Sequence, residues 1–139
     1  MMENLKKYLQ EVEVNREETC EISDAIWNFA ELPFGEYKSA ELLTGRLAKH
    51  GFNVTAGVAG MPTAFTASYG SGHPVIGILA EYDALDGLSQ EAGITEQKAI
   101  PGIASGHGCG HNLFAGGSFA GALAVKEYVA KTGNGSITL

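Results

Sequence analysis

Residues 106–112 are Gly-His-Gly-Cys-Gly-His-Asn, so three metal-competent side chains, His107, Cys109 and His111, alternate with glycine. In extended backbone, residues two apart point to the same face. The spacing therefore predicts that all three side chains face one point. The intervening glycines remove bulk that would crowd such a site. Thiolate and imidazole together suit Zn2+ or a similar divalent ion. A helix is expected to begin at Asn112, and its positive end favours the thiolate of a nearby cysteine. Two other accounts fit the same residues. One is a glycine-rich loop with a free cysteine and two surface histidines. The other is a Cys109 nucleophile with His111 as base, which ranks lower because residues so close in sequence seldom make good nucleophile–base geometry. A closed zinc site takes about four ligands, more than this segment can supply.

A second candidate lies at residues 80–85, Ala-Glu-Tyr-Asp-Ala-Leu, directly after the apolar run Val-Ile-Gly-Ile-Leu-Ala. Carboxylates at the carboxyl end of a buried strand lie where open α/β sheets bind ligands. Glu81 and Asp83 are two apart and are expected to point the same way. They could bind metal or orient a ligating histidine. The alternative is that they only end the strand and cap the loop. Other signatures fail. The glycines near residue 108 follow a loop rather than a strand, and no lysine completes a phosphate loop. Ser118 lacks a nucleophile-elbow context.

The elements that must position these residues follow from periodicity. Residues 1–30 repeat apolar side chains, Leu5 and Ile26 among them, at helical spacing, with a break expected near Val14-Asn15 and a stop before Pro33. Residues 39–50 form a second amphipathic helix closed by Gly51. Residues 52–55 and 64–69 read as strands. The Gly70-Ser71-Gly72 turn predicts a hairpin between the second strand and the next. The run at 75–80 suits a central strand buried on both faces. Residues 86–110 form a loop unusually long for a compact domain. A helix over 112–131 and a strand from Ser136 follow. The order predicts an α/β fold, a mixed sheet sandwiched by helices, with an edge left open where the last strand ends.

The bulk properties exclude several function classes. The chain has 139 residues, a net charge of −7 and no basic cluster, which argues against nucleic acid or an anionic membrane surface as partner. No signal-peptide pattern or membrane-length apolar run is expected. Cys20 and Cys109 form no paired motif, so reduced thiols and a cytoplasmic location are expected.

Several stretches, in order along nearly the whole chain, resemble the amidohydrolase branch of the M20 metallopeptidase family: residues 26–32, 39–42, 51–54, 57–65, 77–90 and 106–128. The GHGCGHN run and the EYDAL-x-GLSQ run carry the most weight. The resemblance implies an α/β/α zinc-peptidase fold holding two divalent metals, Zn or Mn. Such a domain cleaves the amide bond of N-acyl amino acids with a metal-activated water. It implies Cys109 and His111 as metal ligands, with His107 and Asp83 in support; Glu81, by its spacing from Asp83, and Asn112, by a hydrogen bond that could hold the loop, are further supporting candidates. Asp86 stands where the family usually has proline. In the family, the strand at residues 136–139 leads to a Glu-Glu motif with the general base, then to further histidines and a smaller dimerisation domain. The chain is therefore expected to be the N-terminal portion of a catalytic domain and inactive by itself. A homo-oligomer or a companion subunit is expected for the complete enzyme. The alternative is a truncated, non-catalytic fragment that binds or oligomerises.

Overall fold

The structure, a computed structural model, describes residues 2–139, with side chains from Lys6 onward. The side chain of Leu5 therefore lies outside the described residues. The first helical stretch is two helices, α1 (Met2–Val14) and α2 (Arg16–Phe29). They part at Asn15, whose side-chain amide donates back to the Glu11 carbonyl at 2.7 Å. An asparagine that bonds its own backbone in this way competes with helix continuation. Helix α2 closes on Ala30 in a left-handed conformation, just ahead of Pro33. Helix α3 (Tyr37–Lys49) precedes β1 (Asn53–Ala56), β2 (Phe65–Gly70) and β3 (Val75–Gly77). Helix α4 (His111–Thr132) then leads to β4 (Ser136–Thr138). Among the described residues, no helix is long and apolar enough to cross a membrane.

The sheet is mixed, in the order β1-β2-β4-β3. β2 runs antiparallel to both β1 and β4, and β3 runs parallel to β4. This corrects two expectations. β2 and β3 are not a hairpin, because β4 lies between them. Parallel strands need a long crossover, and α4 with its preceding loop supplies it, returning the chain into the gap. Gly70 marks that insertion. A Cβ there would lie 2.7 Å from the Gly135 carbonyl oxygen and 2.5 Å from Val129. Nor is the run at 75–80 a buried central strand. β3 is an edge of the sheet, with Val75 56%, Ile76 40% and Leu79 81% exposed. β4, expected to leave an open edge, is instead interior.

One core joins the layers. Ile22 and Ile26 of α2, Leu43 and Leu47 of α3, and Phe119 and Leu123 of α4 meet Ala67 of β2 and Ile137 of β4. At its rim an ionic cluster ties α2 to α3. Glu18 lies 3.0 Å from Arg46 and 2.7 Å from His50, and Glu21 lies 3.3 Å from Arg46. The His50 ring also packs edge-on against Phe119, at 5.5 Å. Burial alone would raise the Glu18 carboxyl. The hydrogen bonds and charges of His50 and Arg46 outweigh that and hold it below the ordinary glutamate value.

The long loop is irregular, as expected, but it folds back on itself. Leu85 and Gly106 exchange both backbone hydrogen bonds at 2.9 Å. Leu88 then crosses the glycine-rich segment so closely that a Cβ on Gly106 would sit 2.0 Å from its carbonyl oxygen. Glycine is thus required at 106 by backbone contact.

Two outcomes follow. The stabilising share of Glu18 is complete above the unfolded glutamate pKa of about 4.3 and is lost as pH falls through its lower folded value. Glu18→Gln should therefore flatten the acid-side loss of stability in urea unfolding; an unchanged slope would show that the cluster contributes nothing. Gly106→Ala should destabilise by about 1–3 kcal/mol, the scale of overpacking. Unfolding midpoints test this, and a change within about 0.5 kcal/mol, typical of a surface site, would contradict it.

Candidate metal centre

The first turn of α4 carries His111, and the chain beyond β3 carries Glu81 and Asp83. These three residues offer ligand atoms within 4.8 Å of one another. His111 Nδ1 lies 2.8 Å from Asp83 Oδ1, and Nε2 lies 3.0 Å from Glu81 Oε2. Both carboxylates thus reach the same histidine, as their spacing predicts. Asp83 and His111 are partly buried, whereas Glu81 is exposed. An imidazole donating to both carboxylates must carry both ring protons. One that ligates an ion through Nε2 keeps only the Nδ1 proton, which Asp83 accepts. Two carboxylates and an imidazole are a donor set that fits a small divalent cation.

The three-residue fan expected from the alternating glycines does not form. The segment is not extended: Gly108 and Gly110 donate back to the carbonyls of Gly106 and His107. That turn sends the three side chains different ways. His111 joins the two carboxylates. Cys109 is exposed and stands outside that group, one turn-residue ahead of the α4 N-terminus. His107 is 5% exposed and lies under the loop, where its Nε2 donates to the Ile26 carbonyl at 2.9 Å. Nε2 therefore carries the proton, and Nδ1 is buried without a partner. Burial pushes the His107 pKa down, so the ring is neutral.

The C-terminal end of α2 anchors the whole site. A helix leaves its last carbonyls without intrahelical donors. Here the Ile26 carbonyl accepts from both Ala30 N, at 3.1 Å, and His107 Nε2, and just beyond the helix Ala30 accepts from the Ser105 hydroxyl and Glu31 from Ala84 N at 2.7 Å. One turn earlier, the buried Asn112 amide donates to Ser23 Oγ at 3.0 Å and fixes the start of α4 to α2. The Glu31 carboxylate accepts from Ser39 N and Oγ, each at 2.9 Å, and so caps α3. Sequence reasoning missed Glu31. Its signal was the pairing of an acidic residue with Ser39 at a helix start, eight residues away rather than the usual three.

Tyr82, between the two carboxylates in sequence, donates to the Thr63 carbonyl and stacks on Phe65 at 6.0 Å. Burial, with the charge of Glu36, pushes its pKa up to about 12. It is a fixed wall of the site, not a proton carrier near neutrality.

No protein-family model matches the chain. In sequence it is 43% identical, over 96% of its length, to the B subunit of p-aminobenzoyl-glutamate hydrolase from Escherichia coli, and it spans 28% of that protein. In fold it matches a proposed aminohydrolase from methicillin-resistant Staphylococcus aureus, with a TM-score of 0.73 at 21% identity, covering 96% of this chain and 33% of the other. It also matches a dinuclear metal-binding peptidase of the M20 family from Bacillus subtilis, with a TM-score of 0.74 at 19% identity, covering 91% of this chain and 35% of the other. The chain therefore has the mixed α/β fold of about one third of an M20-type hydrolase, and in sequence it resembles the p-aminobenzoyl-glutamate hydrolase polypeptide along nearly its entire length.

Proposed function

We propose that this chain is the N-terminal portion of the catalytic domain of a metal-dependent amidohydrolase. The substrate would be an N-acyl amino acid of the p-aminobenzoyl-glutamate kind. The observation that carries the reading is His111 held between Asp83 and Glu81 at the start of α4. The similarity to p-aminobenzoyl-glutamate hydrolase supports it. So does the apolar surface that Val75, Ile76 and Leu79 expose along β3 and just after it, since contiguous apolar surface marks an interaction site. A longer polypeptide, with a second copy or a companion subunit, would complete the site.

Cys109 and His111 would be this segment's ligands, toward two divalent ions, Zn or Mn. A bound ion of this class acidifies water and polarises an amide carbonyl. The rest falls to the chain's own residues. Asp83 accepts the Nδ1 proton of His111, which fixes the tautomer and leaves Nε2 free to ligate. Glu81 stands beside Nε2 and can turn its carboxylate to the same ion. His107 and Asn112 hold the Cys109–His111 turn on α2, which sets where the ligands project.

Cobalt(II) titration of the purified chain tests the ligand assignment independently of turnover. A sulfur-to-cobalt absorption band in the near ultraviolet is expected. It should disappear in Cys109→Ser, His111→Ala should abolish cobalt binding, and Asp83→Asn should weaken it by about 10- to 100-fold. In the longer polypeptide that contains this segment, Cys109→Ala should abolish glutamate release from an N-acyl glutamate. Unchanged cobalt spectra and unchanged hydrolysis in these variants would refute the assignment.

A further inference from the structure

Residues 30–36 link α2 to α3, and one side chain in that link closes the start of α3. The N–H groups of a first helical turn lack acceptors within the helix. Glu36, at the N-cap position, does not serve them: it is 8% exposed, and its Oε1 accepts from Phe34 N at 2.9 Å. Glu31 does. Its Oε1 accepts from Lys38 N at 3.0 Å, and its Oε2 accepts from Ser39 N and Ser39 Oγ, each at 2.9 Å. Ser39 is fully buried. A carboxylate at the positive end of a helix, held by charge-assisted bonds, fixes the backbone that carries it.

That backbone in turn holds the metal group. The Glu31 carbonyl accepts from Ala84 N at 2.7 Å, and Ala84, the residue after Asp83, is fully buried. The adjoining Ala30 carbonyl accepts from the Ser105 hydroxyl, on the segment that leads to His111. Two neighbouring carbonyls therefore hold the two segments whose side chains, Asp83 and His111, meet at 2.8 Å. Ala30 sits at φ 43°. That left-handed conformation is costly for a residue with a Cβ and persists where surrounding contacts over-determine it. The Glu31 anchor is one of those contacts.

We propose that Glu31 is a positioning residue of the metal group: its carboxylate, fixed on α3, holds the Ala30 and Glu31 carbonyls where they bring Asp83 to His111. Glu31 itself stands outside the group and acts through Ala84 and Asp83. The proposal rests on the metal-dependent hydrolase reading.

The test compares the purified chain with Glu31→Gln and Leu43→Val by zinc calorimetry, urea unfolding and long-range proton–nitrogen NMR of the metal-free His111 ring. Glu31→Gln keeps the size of the side chain but loses its charge and one acceptor. It should weaken zinc binding by about tenfold, the lower end of the range for groups that orient a ligand, and shift the His111 Nδ1 resonance. Leu43→Val trims the core beneath α3; it should lower the urea midpoint and leave zinc affinity and the His111 ring unchanged. If Glu31→Gln fails to fold, Ser39→Ala, which removes one of the three donors, should weaken zinc binding by about threefold. A Glu31→Gln chain with a lower urea midpoint but unchanged zinc affinity and an unmoved His111 ring would make Glu31 a cap of α3 alone and overturn the proposal. A parent chain that binds no zinc would instead refute the metal reading, and the His111 shift in Glu31→Gln would still decide whether Glu31 positions Asp83.

Discussion

The last carbonyls of α2 are the constraint on which the rest of the structure depends. A helix C-terminus presents acceptors that must be satisfied when buried. In this chain the segments that build the site donate to the end of α2 and the two residues after it: His107 joins Ala30 N on the Ile26 carbonyl, Ser105 donates to Ala30 and Ala84 to Glu31. Helix α2 is itself held by Ile22 and Ile26 in the common core. Packing in the core thus sets the position of α2, and α2 sets the position of both site segments. A loop of some 25 residues would otherwise have little to fix it.

That arrangement gives each residue of the glycine-rich segment a separate task. His107 is a buried pin, His111 reaches the carboxylates, and Cys109 stays at the surface beside the helix N-terminus. Gly106 passes under the Leu88 backbone, which closes the loop over the pin. A neighbouring cavity shares Glu81 and Asp83 with the metal group. A charged centre and an apolar pocket therefore meet along the chain that leaves β3.

Local features were legible in the sequence. The helices, the break at Asn15, the long loop and the convergence of Glu81 and Asp83 all follow from short-range periodicity and turn chemistry. Strand pairing was not. The Gly70–Gly72 turn has hairpin residues, but β4, more than sixty positions later, takes the place beside β2. No local pattern records an insertion of that kind. The apolar run after Pro74 reads as buried because sequence shows hydrophobicity, whereas exposure depends on what lies next to the edge. The fan of His107, Cys109 and His111 failed because alternation points side chains one way only in extended backbone, and this segment turns at Gly108. Glu36 was invisible for a different reason: a glutamate in a loop is ordinarily exposed, and its burial comes from the fold around it.

The central claim is that Asp83 holds His111 in the tautomer that leaves Nε2 for a divalent ion. Long-range proton–nitrogen NMR of the His111 ring, with and without Zn2+, tests it most directly. The account predicts a proton on Nδ1 in the zinc-loaded chain and a large zinc-induced shift at Nε2, lost in Asp83→Asn. A zinc-loaded ring protonated on Nε2, or a ring that does not respond to zinc, would contradict it.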